Sequence, residues 1–483
     1  MNLMDKVFGK TKSEKRYQEA RQDHWNSVAR KKDSWESMGK YYHVRMEQIY
    51  SYLVSPGQKI LEIGCGTGEL LAALKPSFGV GIDFSGEMVK RAAKRFPALR
   101  FIEADAHDLS FNETFDVIII SDLVNDLWDV QKVFENLRRV SNPRTRIIIN
   151  AYSRMWELPL LLSNLLGLST PLMSQNWLTV DDISNMLSLA GFEVIMSWPE
   201  ILWPFDSPVV STFLNKFILR LWPFHYFALT NFIIARMKPV QLKEKPVVSV
   251  VVPARNEEGN IEEIIQRTPE MGGGTELIFV EGNSSDNTYA AIEKAIAAHP
   301  ERQCKLFKQP GKGKGDAVRK GFEHASGDIL MILDADMTVP PEDLPRFYQA
   351  IYSGKGEFIN GVRLVYPMEK QAMRYLNIAG NKFFSLAFSW LLGQPIKDTL
   401  CGTKVLSKLD YEKIVRNRSY FGDFDPFGDF DLLFGAAKQN MKIVEMPIRY
   451  AERKYGSTNI DRWRHGWLLL KMTLFAMKKI KFR

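Results

Sequence analysis

The chain has 483 residues, of which 45% are hydrophobic and 25% charged, a composition typical of a globular protein with two or three domains. Its formal net charge is +8: residues 1–240 hold 28 Lys/Arg against 26 Asp/Glu (+2), and the remainder hold 36 against 30 (+6). No basic tract resembles a nucleic-acid-binding arm, so we expect no nucleic-acid partner. A phosphate-rich substrate or an anionic membrane surface is enough to explain the excess.

The cysteines and the apolar runs bear on location. Cys65, Cys304 and Cys401 are scattered without the spacing of a metal site or a disulfide framework, which favours a reducing compartment. The first residues run into polar sequence with no apolar signal-peptide core, and no uninterrupted apolar run reaches about 18 residues. We therefore expect a cytoplasmic protein with neither a signal peptide nor a membrane span.

The first 55 residues are charged, helix-prone and rich in aromatic residues, among them Trp25 and Tyr42. They predict a helical cap over a neighbouring pocket.

Residues 59–71 then predict a strand, a glycine-rich turn and the start of a helix. Glycines let a backbone approach a ligand closely, and a helix start offers free N–H groups. The turn reads Gly-x-Gly-x-Gly, not the Gly-x-Gly-x-x-Gly of dinucleotide sites.

Polar residues follow the next predicted strands. A strand over residues 79–82 ends in Asp83, at the spacing of a ribose-binding acid. A third strand ends near Asp105. A fourth, continuously apolar, ends in Ser121, and a fifth covers residues 146–150. Parallel strands buried on both faces have this apolar character.

This ordered set resembles the class I S-adenosylmethionine-dependent methyltransferases. The resemblance implies a Rossmann-like domain over residues 56–240 that uses S-adenosylmethionine and needs no metal. An alternative is a nucleotide fold that has lost its ligand. The methyl acceptor is not identified, although Asn125, Asp126 and Trp128 lie where acceptor residues commonly do in that family. The residues that the resemblance assigns to the cofactor are Glu62, Gly64, Gly66 and Gly68 in the first motif, Asp83 at the ribose, Asp105 near the adenine, and Ser121.

Two segments of this domain, residues 155–173 and 201–227, are unusually apolar. Prolines and charged residues interrupt the second, so a membrane span is excluded. The segments form either a hydrophobic lid or domain contact, or a patch for lipid or the membrane interface.

A charged, proline-bounded linker over residues 241–246 precedes the second predicted domain, residues 247–460. Its first strand ends in Pro253-Ala-Arg255-Asn256-Glu257, and its second is followed by Glu281 and Asp286. Lys314 lies at a glycine-rich entry to a helix, where a cation suits a phosphate group. As an alternative role, Glu257 and Glu258 lie near a helix start and complement its dipole.

Residues 329–337 read Ile-Leu-Met-Ile-Leu-Asp-Ala-Asp-Met. The apolar run at the start of this stretch predicts a strand buried in a parallel sheet. Asp334 and Asp336, on either side of Ala335, stand at its carboxyl end, where ligands bind in open α/β sheets. Two carboxylates there are suited to hold Mg²⁺ or Mn²⁺, and the metal a diphosphate. A solvated turn after a strand could have the same Asp-x-Asp sequence.

Together these motifs resemble the family 2 glycosyltransferases, which have the GT-A fold. The resemblance implies that Asp334 and Asp336 form the metal–diphosphate motif, with Asp336 also counted as catalytic. The usual Asp-Asp of the second nucleotide motif is Glu281-Gly282 here. The residues assigned to the nucleotide sugar are Pro253, Arg255, Asn256, Glu257, Glu281, Asp286, Lys314, Asp334, Ala335, Asp336, Arg363 and Arg453.

Downstream, Glu-x-Pro-Ile followed by Arg-x-x-Gly-Ser is similar to the dolichyl-phosphate mannosyltransferase branch, in which the residue matching Arg453 contacts the diphosphate. That branch glycosylates a polyprenyl phosphate, which is already a nucleophile at neutral pH. A hydroxyl acceptor needs a general base, for which Asp398, Asp429 and Asp431 are the candidates. Asp429 and Asp431 are alternatively helix caps, and Arg363 a solvated charge.

Residues 461–483 predict a basic amphipathic helix, with five cations and no acid from Lys471 onward. This is typical of a helix at an anionic membrane surface, although a core helix with a solvated basic tail fits as well. We therefore expect a bifunctional α/β enzyme at the inner face of the cytoplasmic membrane. The alternatives are transfer to a glycan hydroxyl with methylation of that glycan, and a peripheral membrane scaffold with inert nucleotide folds.

Overall fold

The computed structural model describes residues 12–31, 40–165, 173–239, 241, 244–363, 365, 375–418, 428–451, 453, 455 and 462–482. The chain divides into two compact units, Met1–Lys238 and Pro239–Arg483, and each contains a seven-stranded sheet. Among the described helices, none combines the length and apolar character needed to cross a bilayer.

The sheet of the first unit has the strand order β3-β2-β1-β4-β5-β7-β6. Its first five strands are parallel, whereas β7 runs antiparallel to both β5 and β6. The order reverses between β1 and β4, which places the ligand crevice of such a sheet beyond the carboxyl ends of these two strands. The strands are β1 (Lys59–Ile63), β2 (Phe78–Asp83), β3 (Arg100–Glu103), β4 (Val117–Ser121), β5 (Arg146–Tyr152), β6 (Phe192–Glu200) and β7 (Thr230–Met237).

The described residues of this unit form eight α-helices. The two faces of the sheet carry separate apolar cores because its central strands are buried on both sides. The helix α3 has only five residues. The helices are α1 (Lys12–Lys31), α2 (Lys40–Leu53), α3 (Glu69–Ala73), α4 (Gly86–Arg95), α5 (Val130–Leu137), α6 (Glu157–Leu165), α7 (Val180–Leu189) and α8 (Pro208–Lys216).

The second unit has the strand order β10-β9-β8-β11-β13-β12-β14. Its strands are β8 (Val248–Ala254), β9 (Thr275–Glu281), β10 (Gln303–Lys308), β11 (Ile329–Ile332), β12 (Phe358–Val362), β13 (Lys404–Ser407) and β14 (Ile443–Pro447). Its helices are α9 (Ile261–Arg267), α10 (Thr288–Ala298), α11 (Lys314–Glu323), α12 (Leu344–Tyr352), α13 (Tyr375–Leu392), α14 (Lys408–Arg416), α15 (Asp429–Lys438) and α16 (Arg462–Ile480).

The strand β11, which the apolar run after residue 328 forms, lies at the centre of this sheet and ends at Ile332. All four residues of β11 are buried, and the strand pairs in parallel with β8 but antiparallel with β13. The sheet is therefore mixed, not parallel throughout. Leu333 and Ala335 are buried after the strand ends, so the apolar pattern continues into the turn. The carboxyl ends of the parallel strands β8, β9 and β11 meet at one edge.

Candidate active sites

The glycine turn after β1 leaves open space beside its backbone. Gly64, Gly66 and Gly68 all have positive φ, at 75°, 51° and 80°. A Cβ built on Gly68 would lie 2.6 Å from the ring of Phe101, whereas one built on Gly66 would meet nothing within 4 Å. The turn therefore packs closely on one side and presents bare backbone to a free space on the other.

Two acids hold this turn in place. Asp83, the last residue of β2, accepts hydrogen bonds from the backbone N–H groups of Gly66 and Ser85, each 2.9 Å long. Glu62 accepts from the N–H of Leu71 at 3.1 Å, and burial raises the pKa of Glu62 to about 8. Both acids thus fix the shape of the crevice at the strand ends.

Helix α1 bonds to the ends of β2 and β3, at the same edge of the sheet. Gln18 donates to Asp105 at 2.9 Å, and Gln22 donates to the carbonyl of Phe84 at 2.8 Å. The hydroxyl of Ser85 donates to Asn26 at 2.6 Å. This helix lies beside the positions that were assigned to the ribose and the adenine.

Asn125 and Asp126, which the sequence suggested for the methyl acceptor, make structural contacts. Asp126 is bound by Arg21 and by the indole N–H of Trp25, each at 2.8 Å. The buried amide of Asn125 accepts from the N–H of Tyr152 and donates to a loop carbonyl. Trp128 is 41% exposed. Of these three residues, Trp128 is the most exposed.

A different acid, Asp122, stands in the crevice. It directly follows β4, next to the glycine turn after β1, and has the unusual φ of 52°. Its Oδ1 accepts from the hydroxyl of Tyr42 at 2.7 Å and from the amide of Asn150. No described residue donates to its Oδ2, and the side chain keeps partial solvent access. Burial raises the pKa of Asp122 to about 6.

In the second unit, the two carboxylates after β11 are each paired with a cation. Asp334 contacts Lys314, at the start of α11, with 2.5 Å between Nζ and Oδ1. Burial alone would raise the pKa of Asp334, but Lys314 and other cations bring it below its ordinary value. Asp336 contacts Arg453 at 2.6 Å, and Arg453 also lies 3.3 Å from Glu257. Burial raises the pKa of Glu257 to about 7.

A cavity of about 330 Å³ lies beyond the end of β9. The side chains of Glu281 and Asp286 line it, as do two residues that the sequence motifs did not indicate, Tyr289 and Lys308. The ammonium of Lys308 lies 4.3 Å from the centre of the Tyr289 ring. An aromatic face, a cation and two acids form a chamber suited to a nucleoside with its ribose hydroxyls.

The loop after β8 is tied to the loop after β9. The N–H of Asn256, which has a φ of 58°, donates to Ser284, and the Asn256 side chain accepts from the N–H of Ser285 at 2.7 Å. Arg255 is exposed beside it, and Pro253 lies within β8. The first and second predicted nucleotide motifs therefore form one connected rim of the cavity.

Comparison with known proteins finds a known family in each unit of the chain. The Glycosyl transferase family 2 model matches residues 249–414. A dolichol-phosphate mannosyltransferase of Pyrococcus furiosus is 35% identical over 256 residues, which are 49% of this chain and 67% of that protein. The chain belongs to the family 2 glycosyltransferases. A methyltransferase domain model matches residues 54–191, so this glycosyltransferase is fused to a methyltransferase domain.

Two other relatives also match the glycosyltransferase. Glycosyltransferase AglJ of Haloferax volcanii is 29% identical over 224 residues, which are 46% of this chain and 69% of that protein. An undecaprenyl-phosphate 4-deoxy-4-formamido-L-arabinose transferase of Shewanella sediminis is 36% identical over 102 residues, or 20% of this chain and 31% of that protein. The predicted fusion of a Rossmann-like and a GT-A domain is confirmed.

Two of the three predicted bases, Asp398 and Asp431, are held in ion pairs. Asp398 is fully buried and receives two hydrogen bonds from the guanidinium of Arg363, at 2.7 and 2.8 Å. Arg363 lowers the pKa of Asp398 despite the burial. Asp431 lies 3.0 Å from Arg418. The side chain of Asp429, the first residue of α15, lies outside the described residues.

The residues present fit both implied cofactors. Asp334 and Asp336 supply two hard oxygen ligands in partly exposed side chains, and Mg²⁺ or Mn²⁺ commonly binds one or two carboxylates together with substrate phosphates. The described residues contain no group of three or more potential metal ligands. The open backbone at Gly66 suits the close approach of S-adenosylmethionine.

Proposed function

We propose that the second unit transfers a sugar from a nucleoside diphosphate to a polyprenyl phosphate in a metal-dependent, inverting reaction. The observation that carries this proposal is the ring of charge after β11, where Asp334 and Asp336 are bracketed by Lys314 and Arg453. When bound, a divalent cation neutralises negative charge that develops on the leaving diphosphate. Lys314 and Arg453 then bind phosphate oxygens, while the cavity at Tyr289 holds the nucleoside.

Two of the three predicted bases have described side chains, and both are paired with arginines. Asp398 is enclosed and paired with Arg363, and Asp431 is paired with Arg418, so neither offers a free carboxylate to a hydroxyl. A phosphate monoester needs no base, because its second pKa is near 6. The names of the Pyrococcus furiosus and Shewanella sediminis relatives specify dolichol phosphate and undecaprenyl phosphate. A polyprenyl phosphate is therefore the acceptor that fits best.

We further propose that α13 and α16 contact the membrane that holds this acceptor. One side of α16 packs in the core through Leu469, Met472 and Ala476. Its other side exposes Trp467 and Leu474 together with Lys471 and Lys478. The sequence left open a core helix or a helix at a membrane surface. The helix α16 has features of both, because one face packs in the core and the other is apolar and basic. Cations among exposed apolar groups favour an anionic bilayer.

Helix α13 extends the same surface. It exposes Phe383, Leu386 and Trp390, and the ring of Trp390 lies 6.0 Å from that of Phe482, just after α16. Lys481 lies 5.6 Å from the centre of the Trp390 ring. The two helices thereby supply a continuous apolar and basic face, which supports action at a membrane surface.

For the first unit, we propose methyl transfer from S-adenosylmethionine to an acceptor atom that carries a proton. Asp122 is placed to take that proton, because its Oδ2 is open while Tyr42 and Asn150 fix its Oδ1. A pKa of about 6 leaves most of the carboxylate ionised at neutral pH, and thus able to act as a base. S-adenosylmethionine, when bound, supplies the electrophilic methyl group.

The test is a donor and acceptor screen with the full chain and Mn²⁺. Nucleoside-diphosphate sugars are offered with a polyprenyl phosphate or with an oligosaccharide, with and without S-adenosylmethionine, and the products are identified by mass spectrometry. We expect glycosylated polyprenyl phosphate. Glycosylation of the oligosaccharide alone would overturn the lipid acceptor, and the lack of any sugar transfer would leave a membrane scaffold as the better account.

A further inference from the structure

Unit 1 carries a large apolar surface that its methyltransferase fold does not use. The surface, which we term the apolar ridge, comprises the exposed side chains of α6 and of residues 203–227. Val209 is 82% exposed, Trp222 78%, Leu165 75% and Tyr226 61%. Soluble proteins seldom expose contiguous apolar patches of this kind without a binding role.

The two parts of the ridge are joined. The indole N–H of Trp156, immediately before α6, donates to the carbonyl of Phe227 at 2.8 Å. The two apolar segments that appear separately in the sequence therefore form one surface on the same unit. This continuity distinguishes the ridge from singly exposed apolar residues, which are normal on any protein.

Polar contacts hold the inner side of the segment 203–227, where Leu219 is also buried, and large apolar side chains are exposed on its outer side. The buried amide of Asn215 accepts from the N–H groups of Leu202 and Trp203, at 2.7 and 2.8 Å, and donates to the hydroxyl of Tyr41 at 2.9 Å. Arg220 is paired with the buried Glu200 at 2.7 Å. These polar contacts anchor the segment while Phe213 and Trp222 point outward. The arrangement is opposite to that of a helix packed on a core.

We propose that the apolar ridge inserts into the interfacial layer of a lipid bilayer. Tryptophan and tyrosine among aliphatic residues are the side chains preferred at that depth. The charged residues around the ridge are balanced, with Arg154 and Lys216 against Glu157 and Asp206, so hydrophobic insertion drives the binding and lipid charge contributes little. The choice of lipid rather than a protein partner rests on the proposed function, in which the glycosyl acceptor is itself a membrane lipid.

The experiment measures flotation of the full chain with neutral phosphatidylcholine vesicles and with vesicles that contain anionic phosphatidylglycerol. Phe213→Ser with Trp222→Ser should weaken binding to neutral vesicles about tenfold or more, because two large apolar side chains lose their contact with lipid. High salt should change this binding little. Leu409→Ser, a matched loss of an exposed apolar residue on α14, should leave it unchanged.

Three further measurements separate this inference from the proposed function. Lys471→Ala with Lys478→Ala, on α16, should lower binding to anionic vesicles only. Sugar transfer to a short, water-soluble polyprenyl phosphate should be the same in the ridge variant as in the parent. Retained binding of S-adenosylmethionine shows that the first unit of the variant folds. Brominated lipids should quench the fluorescence of Trp222, measured as the difference between the parent and Trp222→Phe.

Unchanged binding to neutral vesicles in the ridge variant, with no quenching at Trp222, would overturn the proposal. The proposal would also be overturned if the parent were a dimer, the ridge variant a monomer, and both bound lipid equally. The ridge would then be an interface between two copies of the chain. Loss of soluble-acceptor activity in the parent itself would count against the proposed function and not against the ridge.

Discussion

Adding one methyl group at Gly402 should disable sugar transfer without unfolding the protein. A Cβ at this position would overlap Oδ2 of Asp334 and Nζ of Lys314, well inside the 3.0 Å that real Cβ atoms keep. Both atoms end flexible side chains, so they must retreat by about 1 Å while the backbone stays. A displacement of about 1 Å at a reacting centre costs about a hundredfold in rate, equivalent to about 2.7 kcal/mol in the barrier.

The assay is the initial rate of sugar transfer by Gly402→Ala at saturating donor, acceptor and Mn²⁺. The control is Gly380→Ala on α13, where a Cβ meets nothing within 4 Å, and it should keep the parental rate. Thermal unfolding should show both variants folded. A parental rate in Gly402→Ala would refute the reasoning that Asp334 must keep its position. A large loss of stability would instead show that the glycine serves the fold.

The remaining predictions concern both units. Asp336→Asn should abolish sugar transfer and leave S-adenosylmethionine binding intact, as calorimetry checks. Gly66→Arg should block that binding, since it strains a φ of 51° and fills the open cradle, whereas sugar transfer persists. Asp122→Asn should suppress methyl transfer but retain cofactor binding. In the parent, methyl transfer should fall as the pH drops through about 6, and Tyr42→Phe should move this inflection upward, because the Tyr42 hydroxyl lowers the pKa of Asp122.

The succession of strands along the chain, and the polar residues that follow them, could be predicted from the sequence. Gly64 and Gly66 mark a turn between a strand and a helix, and Asp83 marks the end of the next strand. Both patterns reflect the local geometry of the backbone. The same is true of Asp334 and Asp336 after a buried apolar run. Local patterns of this kind involve residues that are close in sequence, so they survive without knowledge of the fold.

Contacts between residues distant in sequence could not be predicted in this way. Asp122 and Tyr42 are 80 residues apart and meet only because α2 packs beside the end of β4. The pairing of Arg453 with Asp336, 117 residues earlier, likewise depends on the complete sheet. Asp398 resembled a free base because its partner Arg363 lies on the loop after another strand. In each case tertiary packing decides whether an acid is open or neutralised.

Crystals soaked with Mn²⁺ and a nucleoside diphosphate test the central claim most directly. The account predicts an anomalous manganese peak bound by Asp334 and Asp336 and by the diphosphate, with Lys314 and Arg453 moved from the carboxylates to phosphate oxygens. A nucleotide in the cavity at Tyr289 with no metal at these carboxylates, and with both ion pairs unbroken, would contradict it.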